Sequence, residues 1–436
     1  MAFINRVLHV NVSHMSFEEE PIDEALYCGL LGGKGLGTHL LLNNIEAGVD
    51  PLSQDNVIVF ATGPATDTKV FGSSRYGVFT KSPLTGIYGE SYAGGSVAEP
   101  MSRTGYDAII IKGASKKPLW LELSSGSVKF HDASHIWGKD TYETEDAVRE
   151  EVGIKDAGIV VIGPAGEKEI RFAVIENNYW RSSGRTGAGA VLGTKKIKAI
   201  VFHGDKDKNV ARIDLLKELW KEMGGKAKTD VGAIAYKKFG TPMLVAMTNM
   251  AGAFPTKYWS LGTFDKWQNI SADALLERCK VKPRACPKCF LACGRLTEVV
   301  DGRHKGLKIE GPEYETIYAF GGLCVIDDIR EIAYLNDICD RLGMDTMTAG
   351  NLAAFTIEAS HRKSIEEKIE YGDVDGIAEL LNKIARKEGI GAILAEGIRY
   401  AAKEWGLEDL AIHIKGLEPA GYDPRVLKGM GLAYAT

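Results

Sequence analysis

Apolar positions fall in short β-branched runs separated by turn residues up to about position 205, and after that they recur at helical spacing. The first pattern predicts strands at 7–12, 57–61, 108–112, 119–123, 158–162, 172–175 and 199–203. Ser124-Ser125-Gly126-Ser127 reads as a hairpin turn joining 119–123 to 128–131. Two helices are expected among these strands, at 23–44 and 142–152. In the second pattern Leu215, Leu216, Leu219, Trp220 and Met223 follow Asp214 as N-cap. Ile329, Ile332, Leu335 and Ile338 follow Asp327, and Ile377, Leu380, Leu381 and Ile384 follow Asp375 with a stop at Gly389. A last helix at 393–405 ends on Gly406.

The fold class expected is α+β: a β-rich N-terminal domain over 1–208, a mostly α-helical domain over 209–415, and the start of a largely missing third helical domain over 416–436. The boundary is the charged stretch 206–209, which has no apolar pattern. The final segment GYDPRVLKGMGLAYAT is apolar and glycine-containing, with no polar tail, and predicts a chain cut short at its C-terminus.

Composition narrows the function classes. A net charge of −5 gives no reason to expect nucleic acid, and no apolar run approaches the roughly 20 residues a membrane span needs. The N-terminus lacks a basic stretch followed by an apolar one, and seven cysteines are an odd number, so a reducing, cytoplasmic setting is expected. The 50 glycines are far above the roughly 7% average and concentrate before position 205, beside arginine or serine. Either they let backbone amides approach a bulky ligand, or they serve the turns of a β domain.

Three of the cysteines carry the strongest chemical signal. Cys286, Cys289 and Cys293 in CPKCFLACG bring three soft thiolates onto one turn, which suits the iron of an iron–sulfur cluster. A zinc site with His304 as a further ligand is the structural alternative, although no second C-x2-C pair is present. A catalytic thiol does not need three neighbours, and the spacing is the reverse of the C-x3-C-x2-C of radical-SAM enzymes.

Glycine–arginine segments stand at 72–86 (GSSRYGVFTKSPLTG), 91–95 (SYAGG) and 181–200 (RSSGRTGAGAVLGTKKIKAI). Each combines flexible backbone with a guanidinium or hydroxyls, as a phosphorylated heterocycle requires. GRTGAG lacks the G-x-G-x-x-G order of a dinucleotide site. Glu313 and Glu315 in GPEYET offer a general acid or base, or else occupy a helix first turn where acids are favoured.

Taken in order, these segments with CPKC-x3-C, GPEYET and DRLGMD resemble the tungsten-containing aldehyde:ferredoxin oxidoreductase family over the whole chain. The resemblance implies a β-rich base domain under a tungsten-bis-molybdopterin, with molybdenum as the alternative metal and magnesium bridging the pterin phosphates. It implies that Cys286, Cys289 and Cys293 bind a [4Fe–4S] cluster and that Arg75 lies between cluster and pterin. Gly94, Gly95, Arg181 and Ser182 match pterin-phosphate contacts, and Asp340, Met344 and Asp345 match the first of two pterin motifs, with Met344 in place of leucine. Glu315, with Glu313 as second choice, matches the glutamate near tungsten.

The implied activity is oxidation of a small-molecule aldehyde to a carboxylic acid, with electrons leaving through the cluster to ferredoxin, in a homodimer. A tungsten-dependent aromatic acyl-CoA reductase of the benzoyl-CoA type is the alternative, and an inactive or zinc-bearing scaffold is a second. Tyr92 stands where the family often has asparagine, and the E-x-x-H metal pair is absent from 334–337. The third domain thought to be missing would carry the second pterin motif, a fourth cluster cysteine beyond Thr436 and a catalytic histidine.

Overall fold

The computed structural model describes residues 3–436. The chain divides into two compact units: Met1–Asp230 with Ala285–Phe290 and Arg341–Met344, and Val231–Arg284 with Leu291–Asp340 and Asp345–Thr436.

The first unit contains two six-stranded sheets. Strands β1 (Arg6–Asn11), β2 (Ser16–Pro21), β3 (Ile58–Thr62), β4 (Tyr76–Lys81), β5 (Tyr88–Ala93) and β6 (Ala108–Lys112) form one, in the order β2-β1-β6-β3-β4-β5. Strands β7 (Leu119–Ser124), β8 (Ser127–Asp132), β9 (Gly158–Val161), β10 (Ile175–Asn177), β11 (Arg181–Ser183) and β12 (Ile197–Phe202) form the other, in the order β11-β10-β9-β12-β7-β8. Only β1 with β6 and β7 with β12 run parallel; the other pairs are antiparallel.

Alternation along the strands decides what lies between the sheets. Leu8, Val10, Ile58, Phe60, Ile109 and Ile111 from one sheet share a core with Leu121, Leu123, Val160, Ile200 and Phe202 from the other. The intervening residues are apolar too, because each outer face is covered by a helix. Val59 and Ile110 meet Leu36, Leu40 and Leu41 of helix Gly33–Asn44, and Trp120, Ile159 and Val201 meet Val148 of helix Thr141–Val152. Each such side chain, buried fully, contributes about 1.5–3 kcal/mol.

Five of the six sequence-predicted strands that are realised shift by no more than two residues at either end, and 108–112 is reproduced. The hairpin turn at 124–127 is present, with Gly126 at φ +75°. The strand expected at 172–175 begins only at Ile175, because residues 173 and 174 bond elsewhere: Ala173 O accepts from Gly189 N, and Val174 N donates to Gly343 O. The helix expected at 23–44 is two helices, Glu24–Leu30 and Gly33–Asn44, broken where Leu31 and Gly32 take φ +60° and +85°.

The second unit is mainly helical, with one antiparallel sheet of β13 (Cys279–Arg284), β14 (Gly294–Val299) and β15 (Lys308–Glu310). Helix Val374–Arg386 is capped by Asp373, not Asp375, and ends at Lys387 in the left-handed region, two residues before Gly389. At Ile329–Leu342 the side chain that accepts from the first-turn amide is Asp328, not Asp327, through Arg330 N at 2.9 Å. The stretch 393–405 splits into Ile390–Leu394 and Ile398–Trp405, closed by Gly406 as expected. In the first unit, helix Ile213–Lys226 begins before Asp214, which pairs with Arg212 instead of capping.

Residues 416–436 pack within the second unit. Asp423 N donates to Ala253 O at 3.0 Å, and Arg425 Nη2 donates to Trp259 O at 2.7 Å. No helix among the described residues is long and apolar enough to cross a membrane.

Candidate metal and cofactor site

In the first unit, β5 ends at Ala93, just before Gly94-Gly95, and β11 begins at Arg181; Gly95 and Arg181 both reach the turn that carries Cys286. Gly95 N donates to Cys286 Sγ at 3.2 Å and Arg181 Nη1 donates to the same sulfur at 3.3 Å. A Cβ on Gly94 would meet Cys286 Sγ at 2.9 Å, Arg181 Nη1 at 3.3 Å and Arg75 Cζ at 3.8 Å, so two guanidinium groups and one thiol converge there. Gly95 has φ +90°, and a Cβ would lie 2.4 Å from Asn178 Oδ1 and 2.8 Å from Asn177 Oδ1. Both positions therefore exclude a side chain, one by conformation and both by space.

The turn itself is tied down locally. Cys289 N donates to Cys286 O at 3.1 Å, and Lys288 reaches Glu99 at 2.9 Å and Asp67 at 3.4 Å. Phe290 stacks on Phe71 at 5.3 Å between ring centres and lies 5.4 Å from Trp220. Ser182 follows Arg181 in β11 but is exposed and paired in register with Glu176, so alternation turns it away from the sulfur. Met344 is buried and bridges to Ala173. Tyr92 is exposed and donates to Glu90 at 3.0 Å.

The remaining predicted residues lie in the second unit. Glu313 accepts from Thr241 Oγ1 and stands just before the short helix Tyr314–Thr316, after the cis peptide Gly311–Pro312. Glu315 Oε2 accepts from Gly421 N at 3.0 Å. Burial drives the Tyr314 hydroxyl well above the usual phenol range; the Thr248 hydrogen bond opposes this, and the charge of Glu315 adds to it. Tyr422 is likewise pushed up to about 12, first by burial and then by Glu315. The first-turn placement expected for structural acids thus holds for Glu315, while its charge also acts on the buried Tyr314 and the half-buried Tyr422. Just after it the chain forms a π-helix, Ile317–Gly322, a rare form that is frequent at functional sites.

Asp340 accepts from Asn336 Nδ2 at 2.7 Å, and Asp345 caps helix Thr346–His361 by accepting from Thr348 N at 3.0 Å. Cys293 is half-buried, on the approach to β14. His304, the candidate zinc ligand, is held by Glu331 at 2.8 Å and stacked on Tyr334. Among the described residues no three His, Cys, Asp or Glu side chains gather as ligands of a single ion. A cluster does not ask its thiolates to converge on one point.

The residues present fit an anionic iron–sulfur group and an anionic cofactor beside it. Cys286 already receives two N–H donors, as cluster-ligating sulfur requires. The Asn177 Oδ1 atom, beside Gly95, is buried without a hydrogen-bond partner, an orphan that a bound donor would satisfy. The sequence did not single out Asn177, Asn178, Thr241 or the Phe71–Phe290–Trp220 group. The GRTGAG stretch serves packing: a Cβ on Gly189 would meet Val174 O at 2.2 Å.

Comparison with known proteins identifies the family. Residues 7–204 match the model of the aldehyde ferredoxin oxidoreductase N-terminal domain, and residues 218–436 match that of domains 2 and 3 of the same family. The chain is 36% identical over 439 residues to the tungsten-containing aldehyde ferredoxin oxidoreductase of Pyrococcus furiosus, covering 99% of this chain and 72% of the relative. It is 37% identical to the protein of the same description from Pyrococcus horikoshii, again over 99% and 72%. It also superimposes, with a TM-score of 0.84 and 26% identity, on a chain of the active-site complex BamBC of benzoyl coenzyme A reductase in complex with 1,5-dienoyl-CoA; the match takes in 97% of this chain and 66% of that one.

These matches correct one expectation. The predicted truncation, with a third domain largely missing, is not upheld, because the match to domains 2 and 3 runs through residue 436. From its β-rich first domain to Thr436, the chain belongs to the aldehyde ferredoxin oxidoreductase family.

Proposed function

We infer that the chain is an oxidoreductase that oxidises aldehydes to carboxylic acids and passes the electrons through a [4Fe–4S] cluster to ferredoxin. The observation that carries this reading is the Cys286 sulfur, held by Gly95 N–H and Arg181 beside the side-chain-free Gly94. Cys286, Cys289 and Cys293 hold the cluster. In the first unit Arg75, Gly94, Gly95 and Arg181, with Ser182 and Met344, would contact the pterin groups; in the second unit Asp340 and Asp345 are the pterin-motif acids. A bound tungsten-bis-molybdopterin, with molybdenum as the alternative metal and magnesium as an accompanying ion, would supply a two-electron acceptor for the aldehyde.

The protein's own part is binding, orientation and proton handling. In that oxidation the aldehyde would gain an oxygen from water and lose two electrons and two protons; the bound metal and cluster would supply the acceptor and relay for the electrons, and the protons must be taken up nearby. Glu315 is the proton acceptor, because its carboxylate is fixed by Gly421 N–H and flanked by Tyr314 and Tyr422. Glu313, already engaged by Thr241, positions that segment. A homodimer in the cytoplasm completes the reading, and size-exclusion chromatography with light scattering tests the dimer.

The test is anaerobic purification followed by elemental analysis and an assay of aldehyde oxidation with ferredoxin. Tungsten with iron and sulfide, and aldehyde-dependent ferredoxin reduction, are expected. Zinc alone, without activity, sinks the proposal in favour of a scaffold. The match to a benzoyl coenzyme A reductase complex supports a second reading, reduction of an aromatic acyl-CoA. Turnover with benzoyl-CoA but not with aldehydes decides for it.

A further inference from the structure

Arg295 follows Cys293 by two residues at the start of β14, and it is 1% exposed. A buried guanidinium keeps its charge and needs acceptors for its five N–H groups. Here every hydrogen bond it makes ends on a backbone carbonyl. Nε donates to Gly294 O at 2.8 Å and Nη2 to Ala292 O, the carbonyls on either side of Cys293. Nη1 donates to Lys237 O at 2.9 Å and Lys238 O at 2.8 Å, and Nη2 to Tyr236 O at 3.4 Å, all in the last turn of helix Val231–Phe239. Gly240 follows that helix at φ +64°, where a Cβ would lie 2.6 Å from Cys293 O and 3.0 Å from Arg295 Nε.

One side chain therefore grips both shoulders of the Cys293 turn and fastens them to a helix end. The carbonyls satisfy its donors without taking its charge; Glu313 and Glu310 offset part of that charge from nearby, and the Cys293 sulfur feels it too. Cluster potential depends on net charge and on the groups that orient the ligands.

We propose that Arg295 is a positioning residue for Cys293, fixing the turn that presents its sulfur and setting both the hold on the cluster and its reduction potential. The proposal rests on the assignment of Cys293 as a cluster ligand.

Anaerobically purified holoenzyme is compared with Arg295→Lys, Arg295→Met, Gly240→Ala and Cys293→Ser. The readouts are iron retained against a chelator and midpoint potential by EPR-monitored redox titration. Arg295→Met should hold iron roughly 10–100-fold more weakly and titrate at a lower potential. Lysine keeps the charge but has only three donors and no fork, so Arg295→Lys should lose iron faster with little change in potential. Gly240→Ala presses on the Cys293 carbonyl with Arg295 intact and should lose iron in the same way.

Wild-type iron retention and potential in Arg295→Met overturn the proposal. If that variant does not fold, wild-type retention in both Arg295→Lys and Gly240→Ala overturns it instead. Because a serine oxygen can replace a thiolate on iron at the cost of an altered potential and EPR signal, wild-type iron retention, potential and EPR signal in Cys293→Ser overturn the assignment beneath it, and the proposal falls for that separate reason.

Discussion

Arg181 Nη1 points at Cys286 Sγ from 3.3 Å, on the far side of a glycine that leaves room for nothing else. A guanidinium donating to sulfur favours the more negative state of whatever that sulfur binds, and charge-assisted donors are about twice as strong as neutral ones. Arg181→Met should therefore lower the cluster's midpoint potential while leaving the thiolate ligands in place. Redox titration followed by EPR checks this; an unchanged potential would mean that Arg181 serves the pterin phosphate alone.

Gly94 and Gly95 should tolerate no side chain. Gly95→Ala places a Cβ against two asparagine oxygens in a left-handed backbone, a strain of about 1–2 kcal/mol before any clash is counted. Gly94→Ala instead strikes the Cys286 sulfur. Both variants should purify with reduced iron, measured per chain, whereas Gly126→Ala at the open hairpin turn should keep the full complement.

Glu315→Gln should reduce kcat by about 10²–10⁴-fold, the usual range for a lost general base, with tungsten and iron content unchanged. Glu313→Gln should cost much less, since its carboxylate already accepts from Thr241. Steady-state kinetics with metal analysis separates the two. Wild-type kcat in Glu315→Gln would remove the proton role.

A pH effect on stability is expected from Lys195. Its ammonium is fully buried, donates to the carbonyls of Gln54, Asn56 and Gly113, and burial lowers its pKa to about 8. The unfolded chain keeps this lysine near 10.4, so between about pH 8 and 10.4 it binds more protons than the folded state does. The contribution of this residue to stability therefore rises with pH across that window. Denaturant melts at pH 7.5 and 9.5 should show wild type gaining on Lys195→Met by roughly 1–2 kcal/mol. A difference independent of pH would mean the folded lysine stays charged across that window.

Much of the β domain was legible because its strands carry unbroken apolar runs such as AIIIK, which only a two-faced burial explains. β2 was not, since SFEEEP is acidic and wholly exposed and is a strand only because β1 pairs with it. β4, β5 and β11 were hidden for the opposite reason: their glycines and serines suggested a ligand cradle, and the same residues turned out to be edge and near-edge strands that present it. Helix starts were missed by one or two residues wherever several aspartates stood together, as at 373 and 375, because spacing alone does not say which carboxylate turns back onto the amides. At the site, the spacing of the cysteines was readable. The Gly95 amide and the Asn177 oxygen were not, since contacts made by backbone and by distant loops leave no local pattern.

Phe290, clasped by Phe71 and Trp220 one residue past Cys289, has a consequence for electron flow. Phe290 is half-buried and Trp220 is 38% exposed, so this hydrocarbon would shield one flank of a cluster held there only in part, and on that flank charge would be screened less and each fixed N–H donor would weigh more. Wetting that flank by shortening the aromatic wall would hand the tuning of the relay from the polypeptide to bulk water.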